Sequence, residues 1–288
     1  MKKTYFLSDA HLGSRATSDS RRRELHLCRF LDSIRHEAAA IYLMGDMFDF
    51  WFEYHNVVPK GFTRFLGKLS ELTDAGIEVH FFTGNHDMWA FDYLHNECGV
   101  TLHFAPCEIT LPSADDSVPR PKAFLAHGDG LGDNSRTFRL LHAIFHSRLC
   151  RWMFRNVLPA DLGMEFGLRW AKASRLKHDG NLIAENGDTL HVAPDGTIRN
   201  SMGDILTHNG TIGEPFLGEN REHLVLFAKQ YLQHHPDISF FIFGHRHLEL
   251  DLMLSRTARL LVLGEWLRSF TYAVWDGEDL LMENFDEE

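Results

Sequence analysis

The sequence predicts an α/β fold in which two mixed β-sheets pack face to face, helices flank them, and a helical cap is inserted. Three observations predict it. Short apolar runs such as Ile41-Tyr42-Leu43-Met44, Val79-His80-Phe81-Phe82 and Phe240-Phe241-Ile242-Phe243 each end in a sharp turn. Early in the chain they alternate with helical patterns, which reads as strands under covering helices. Residues 101–126 break this rhythm with short strands at 101–104 and 108–111, parted by the turn-forming Pro112-Ser113-Ala114-Asp115-Asp116, which suggests a second sheet against the first. After Asp129 comes a long helical stretch of large aromatic and basic residues.

Taken in order, the first strand covers 4–8 and a helix follows over 20–36, with Leu25, Leu27, Phe30, Leu31 and Ile34 close to one face. The second strand ends at Gly45-Asp46. Pro59 then opens a helix whose Phe62, Phe65, Leu66 and Leu69 pack inward and which stops at Gly76. The third strand leads to Gly84, and a short helix runs to Cys98-Gly99. The stretch 135–177 reads as two helices broken at Leu158-Pro159-Ala160. Residues 180–215 carry the hairpin signals Asn186-Gly187 and Asp195-Gly196. A helix over 219–234 precedes the strand at 240–243, and the tail (248–254, 259–263, 271–275, 280–283) reads as an antiparallel meander. The organisation expected is one domain over 1–288, with a cap at 135–178 and an extra hairpin-like insertion at 180–215.

Composition narrows the function. A net charge of −11 argues against a general nucleic-acid binder, and no apolar stretch approaches the ~18 residues of a membrane span. The opening Met1-Lys2-Lys3 is basic, but the apolar run behind it is short and Asp9 interrupts it, so it reads as a first strand and the expected location is the cytoplasm. Cys28, Cys98, Cys107 and Cys150 are widely spaced and form no C-x-x-C, as for reduced thiols.

Five strand ends carry the chemistry. They are Ser8-Asp9-Ala10-His11, Gly45-Asp46-Met47-Phe48-Asp49, Gly84-Asn85-His86-Asp87, His127-Gly128-Asp129 and Gly244-His245-Arg246-His247. Open α/β sheets place ligand sites just outside such ends. His245 and His247, two residues apart, can face one crevice. Oxygen and imidazole ligands without a thiolate suit manganese, iron or zinc better than calcium.

This ordered set, D-x-H, G-D, G-N-H-D, H-G-D and G-H-x-H, resembles the calcineurin-like metallophosphoesterase family over nearly the whole chain. The resemblance implies two divalent ions, with manganese expected, and a bridging hydroxide that attacks phosphorus. It implies Asp46 as the bridge, Asp9, His11 and His247 on one ion, and Asn85, His127 and His245 on the other. It further implies that His86 sits beside the phosphoryl group as a proton or hydrogen-bond donor, that Asp87 orients it, and that Asn85 and His86 touch substrate. Asp49 and Asp129 are candidates to hold ligand histidines.

The substrate reading rests on the cap. Residues 136–177 hold nine Lys/Arg against Asp161 and Glu165, a net +7 in a chain of −11, interleaved with Trp152, Phe154, Phe166 and Trp170. A basic, aromatic-rich helical hairpin suits the surface of an anionic membrane. With the metal motifs and Gly45-Asp46-Met47-Phe48-Asp49-Phe50-Trp51, it is similar to a branch of the family that cleaves the pyrophosphate of a lipid-linked nucleotide sugar at the cytoplasmic face of the inner membrane. That likeness implies head-group contacts from Asp133, Ser174 and Lys177. Two departures stand out: the best-known members of that branch have arginine where this chain has His86, and the hairpin-like stretch from Asn181 to Thr211 is additional; both leave another nucleotide sugar, a phosphomonoester or a nucleic-acid end as alternative substrates.

Overall fold

Runs of β-branched and aromatic residues fill both faces of a buried strand, so near-continuous apolar segments become the central, parallel strands of a covered sheet. The computed structural model describes residues 2–14, 20–115, 117, 119–132, 143–145, 147–178, 182–183, 189–192, 198–199, 205–207 and 216–286, with side chains at all of these but 148 and 170–207. In the first sheet β1 (Lys3–Leu7), β2 (Ala38–Leu43), β3 (Glu78–Phe82) and β4 (Thr101–His103) run parallel. Two antiparallel strands, β14 (Thr271–Trp275) and β15 (Leu280–Asn284), extend it to the order β15-β14-β1-β2-β3-β4. The second sheet takes β5 (Cys107–Thr110), β6 (Lys122–Ala126), β11 (Ile238–Phe243), β12 (Glu249–Met253) and β13 (Arg259–Leu263) in the order β12-β13-β11-β6-β5. Its β6, β11 and β13 are parallel, whereas β5 and β12 are antiparallel edges.

Burial follows position. β1, β6 and β13 are buried at every residue but the first, while the edge strands β5 and β12 mix half-buried and exposed positions. Between the sheets lie Phe6, Met44, Phe82, Leu125, Ile242, Leu261 and Ala273. On the outer face of the first sheet pack α1 (Ser20–Ile34), α2 (Thr63–Asp74) and α3 (Tyr93–Cys98), through Leu27, Phe30, Phe65, Leu69 and Leu94. On the outer face of the second sheet α6 (His223–His234) brings Leu224, Val225 and Ala228 onto Phe241 and Phe243. This is the αββα sandwich. The cap region supplies α4 (Arg148–Asn156) and α5 (Ala160–His178), parted at residues 157–159 as the Leu158-Pro159 break requires. Short strands β7 (Leu182–Ile183), β8 (Thr189–Val192), β9 (Ile198–Arg199) and β10 (Ile205–Thr207) pair antiparallel in the order β10-β9-β8-β7. The four cysteines are free.

Three expectations are corrected. The helix expected to open at Pro59 starts at Thr63, because Gly61 (φ 106°) and Phe62 (φ 57°) are left-handed and cannot continue a helix. Its first amides are capped from outside: the Glu24 carboxylate accepts from Arg64 N at 2.9 Å and Phe65 N at 3.2 Å. The helix expected over 219–234 starts at His223, with Glu222 as N-cap. The tail is not one meander, since β12–β13 closes the second sheet and β14–β15 closes the first. Alternation fixes which face of a strand is buried, but not which sheet receives it.

Candidate metal centre

Parallel strands point their carboxyl ends the same way, so β1, β2 and β3 of one sheet and β6 and β11 of the other deliver their turns to one end of the sandwich. Main-chain bonds tie these turns together. Asp9 N donates to Gly45 O at 3.1 Å, His11 N to Asp46 O at 2.9 Å and Gly244 N to His127 O at 2.9 Å. Across the sheets, His245 N donates to Asp9 Oδ2 at 2.8 Å, and Trp266 N to Asp9 O at 3.0 Å.

The turns are strained at the residues that matter. Asp9, His11, Asp46, His245 and His247 all have left-handed φ, between 41° and 70°; among the other described non-glycine residues only Phe62 and Phe270 share that region. A left-handed non-glycine residue costs on the order of 1–3 kcal/mol, and such strain collects where surrounding structure holds a functional geometry. Two glycines make room. A Cβ at Gly84 would lie 2.8 Å from Asp46 N and from His127 Nε2, and one at Gly244 would lie 2.6 Å from Asp9 Oδ2.

Six of the seven side chains expected as ligands fall into two groups, each with its ligand atoms within 4.8 Å of one another: Asp9, His11 and His247, then Asp46, His127 and His245. A third group joins Asp46 and His11 to His86, so Asp46 faces both sides. In the first, His11 Nε2 is 3.6 Å and His247 Nε2 3.3 Å from Asp9 Oδ1. In the second, His127 Nε2 is 3.3 Å from Asp46 Oδ2. Asp9 Oδ1, His127 Nε2 and Asn85 Oδ1, the seventh expected ligand, are buried without a hydrogen bond of proper geometry. Leaving such atoms unpaired costs free energy, and a divalent cation on each side of Asp46 is the kind of partner that would satisfy them. His127 Nδ1 lies 2.9 Å from Met44 O; a carbonyl only accepts, so Nδ1 carries a proton and Nε2 is the atom turned to the site.

Electrostatics prepares the carboxylates. Burial pushes Asp46 up, but the imidazoles of His127 and His86 outweigh it and hold the carboxyl below its usual range. Burial likewise opposes ionisation of Asp9, and the neighbouring imidazoles of His11 and His247 win, holding it well down. His127 is raised well above its ordinary value, because Asp46 outweighs the cost of burial. His245 is pushed down to about 3 by burial and by the charge on His127, so it is neutral and its lone pair is available.

Asp87, expected to orient His86, has its carboxylate on main-chain amides. Its fully buried carboxylate accepts from Gly84 N at 2.7 Å and Met47 N at 2.9 Å, bracing the loops that carry Asn85 and Asp46. Burial and the charge of Asp46 raise it to about 7. The His86 ring is oriented instead by the Asp49 main chain: Nδ1 donates to Asp49 O at 2.7 Å, and Nε2 points toward Asp46 Oδ2 at 4.0 Å. Asp49 Oδ1 lies 3.7 Å from His11 Nδ1. Asp129 adds its charge to the field on His127. Asp133 lies outside the described residues, and Ser174 and Lys177 fall on α5 where only the backbone is described.

Sequence reasoning missed two buried carboxylates. Glu53 accepts from Trp51 Nε1 at 3.0 Å and from the main-chain N–H groups of Phe91, Asp92 and Tyr93 at 2.7–3.1 Å, which ties the start of α3 to the segment after Asp49. Glu222 forms a two-pronged contact with Arg246, the residue between His245 and His247. Helical periodicity carried no trace of either; an arginine inside a strand-end motif was the one available signal.

The cap rests on these loops. Phe154 packs on Phe52 and Trp89 with ring centroids 5.8 and 5.0 Å apart, and Trp89 Nε1 donates to Phe145 O at 3.1 Å. Gly167 of α5 meets the Phe50 ring so closely that a Cβ there would collide with it. Under this contact lies a cleft of about 160 Å³ lined by Leu12, Asp49, Phe50, Phe62, Met164 and Leu168. A second cavity, about 360 Å³, lies away from the chemistry, beside Tyr5, Glu37 and Tyr272.

Fold and site together define a dinuclear metal-dependent hydrolase of the calcineurin-like metallophosphoesterase class. No protein-family model matches the sequence. The chain is 40% identical over 288 residues to the UDP-2,3-diacylglucosamine hydrolase of Porphyromonas gingivalis, covering 99% of this chain and 98% of that protein. It is 27% identical to the enzyme of the same name from Pasteurella multocida, over 68% of this chain and 74% of that one. A dimetal phosphatase from Danio rerio aligns over 98% of this chain and 95% of its own, at 15% identity and a TM-score of 0.42. The chain belongs to the UDP-2,3-diacylglucosamine hydrolase family.

Proposed function

We propose that the protein hydrolyses the pyrophosphate of UDP-2,3-diacylglucosamine to UMP and 2,3-diacylglucosamine 1-phosphate, a step of lipid A biosynthesis. The observation that carries this reading is the convergence of Asp9, His11, His247, Asp46, His127 and His245 beside an apolar cleft under α5. The full-length likeness to an enzyme named for that substrate supports it.

Asp9, His11 and His247 would hold one divalent ion and Asn85, His127 and His245 the other, with Asp46 between them; the N/O donor set favours manganese. When bound, such a pair supplies Lewis acidity that lowers the pKa of water and neutralises charge on phosphoryl oxygens. The chain's own residues do the rest. Oxygen from water bonds to one phosphorus while its bond to the bridging oxygen breaks. His86, fixed through Nδ1 to Asp49 O, aims Nε2 at that region and, when protonated, donates to a phosphoryl or leaving oxygen. Asp87 keeps the Asp46 and Asn85 loops in register. The cleft between Phe50, Met164 and Leu168 takes apolar parts of the substrate and keeps water out. Ser174 and Lys177 on α5, with Asp133 beyond the described residues, are proposed to meet the head group.

The outer cap surface fits a peripheral site on the cytoplasmic face of the inner membrane. Trp152 and Leu149 are 57% and 67% exposed, and Arg151 and Arg155 lie on the same helix. No described helix is long and apolar enough to cross a membrane.

The test is direct. With manganese, the purified protein should release UMP from UDP-2,3-diacylglucosamine faster than from unacylated UDP-N-acetylglucosamine, and faster than it cleaves bis(p-nitrophenyl) phosphate or single-stranded DNA. Thorough chelation should stop it. Faster turnover of an unacylated compound or of DNA would overturn the substrate reading and favour the alternative left open by His86.

A further inference from the structure

Between the two histidines of the last motif, Arg246 turns away from the metal centre into the protein. Its side chain is 10% exposed and meets Glu222 as a fork, with Nε 2.9 Å from Oε1 and Nη2 3.1 Å from Oε2. Glu222 is fully buried and is the N-cap residue of α6, where its own N–H donates to Gly218 O at 2.9 Å. That helix start also abuts the loop after His127. A Cβ at Gly128 would lie 3.3 Å from His245 Cβ and 3.4 Å from Leu224, and one at Gly132 would lie 2.6 Å from His223 O. Glu222 therefore anchors Arg246 to a platform that touches both second-sheet strand ends of the site.

A buried ion pair is a weak source of net stability, because desolvation of the charges consumes most of their attraction. Direction is what a bidentate guanidinium–carboxylate contact supplies: it fixes orientation as well as distance, which a single ammonium cannot do. Here it acts on a three-residue span whose outer members, His245 and His247, are both left-handed at φ 70° and 46° and fall in different ligand groups. Bonds from the neighbouring loops hold the start of this turn, Gly244 N to His127 O at 2.9 Å and His245 N to Asp9 Oδ2 at 2.8 Å, and the fork acts beyond them, at Arg246. The turn's own internal bond, Arg246 N to Gly244 O at 2.8 Å, sets its curvature but not its position.

We infer that the Arg246–Glu222 fork is a positioning element of the metal centre: it holds the peptide between His245 and His247 so that one imidazole reaches each ion, and thereby sets the spacing between the ions. The fork touches neither ions nor substrate. The inference rests on the assignment of these two histidines to different ions.

The test uses the full chain and manganese alone, so substrate identity does not enter. Parent, Arg246→Lys and the double variant Glu222→Leu/Arg246→Met are compared. The double variant leaves no orphaned charge, and the lysine variant keeps the charge but loses the fork. Near-UV circular dichroism and melting of the metal-free proteins report folding, equilibrium dialysis reports ions bound and their affinities, and electron paramagnetic resonance reports coupling between paired manganese ions. Both variants should fold as the parent does, bind the ion pair about 10–100-fold more weakly, and lose the coupled signal in favour of isolated manganese. A folded variant of either kind with two ions at parental affinity and an unchanged coupled spectrum would overturn the inference. If the parent itself takes up fewer than two ions, the two-ion assignment falls first.

Discussion

Replacing Gly84 by alanine adds one methyl group at the narrowest point of the centre. Gly84 is buried, and the new carbon would lie 2.8 Å from Asp46 N, 2.8 Å from His127 Nε2, and closer still to Asp46 Oδ1. Asp46 Oδ1 is a side-chain end, but His86 N donates to it at 2.8 Å. Asp46 N belongs to the turn whose carbonyl bonds His11, and the His127 ring is held at Nδ1 by Met44 O. Relief to an ordinary carbon–nitrogen contact therefore has to shift a ligand by several tenths of an ångström or more. Overpacking of this kind costs about 1–3 kcal/mol, and a displacement near 1 Å at a reacting centre costs about 100-fold in rate. Metal-free Gly84→Ala should thus melt several degrees below the parent, bind manganese at least 10-fold more weakly by calorimetry, and lose about 100-fold in kcat/KM on bis(p-nitrophenyl) phosphate. Gly67→Ala in α2 is the control: its Cβ meets nothing within 4 Å, so it should gain about 0.5–1 kcal/mol from helix propensity and keep full activity. Gly84→Ala with parental affinity and kcat/KM would refute the idea that this glycine is required by crowding against Asp46 and His127.

Three further outcomes are expected. Glu53→Ala strips the acceptor from Trp51 Nε1 and from three N–H groups at the start of α3 and should lower stability in urea by on the order of 3 kcal/mol; a loss below about 1 kcal/mol would show that the Glu53 carboxylate is dispensable to α3. Because Asp46 raises His127 well above its ordinary value, metal-free His127 keeps a proton near neutrality that must leave before Nε2 can ligate. The ion-bound form then holds fewer protons, so manganese affinity should rise with pH by up to about 10-fold per unit below that raised value, with proton release visible in buffers of different ionisation enthalpy; a flat profile would contradict this. Trp152→Ser, at an exposed position, should leave melting and bis(p-nitrophenyl) phosphate turnover unchanged while lowering turnover of acylated substrate in anionic vesicles; equal turnover there would make the exposed cap surface irrelevant to catalysis.

The centre was legible from sequence because each of its pieces is local. An apolar run buried on both faces, a glycine, then a carboxylate or imidazole can all be recognised within eight residues, as at Phe240–His247, and the parallel direction of such runs gathers their ends. What stayed hidden depends on distant partners. Nothing near Glu24 says that it caps a helix forty residues on, and nothing near Glu222 says that it grips Arg246. The start of α2 was misread because Phe62, an ordinary inward-facing residue by pattern, takes a left-handed conformation that composition does not reveal. The two final hairpins were read as one unit because alternation is the same in either sheet; only the pairing of β14 with β1 separates them. His86 was expected to be oriented by Asp87, yet its ring is held by a main-chain carbonyl, a partner no side-chain motif could announce.

That β14–β1 pairing ties the metal centre to residues distant in sequence. The strand leading to Asp9 and His11 has β2 on one side, but its other neighbour is drawn from residues 271–275. Without those residues, Tyr5, Phe6 and Leu7 have an open flank, and the ligands beyond them hang from an incomplete sheet. The frame that carries Asp9 and His11 is therefore closed by a segment from the other end of the fold, so removing or unpairing 271–275 would loosen ligands that it never touches.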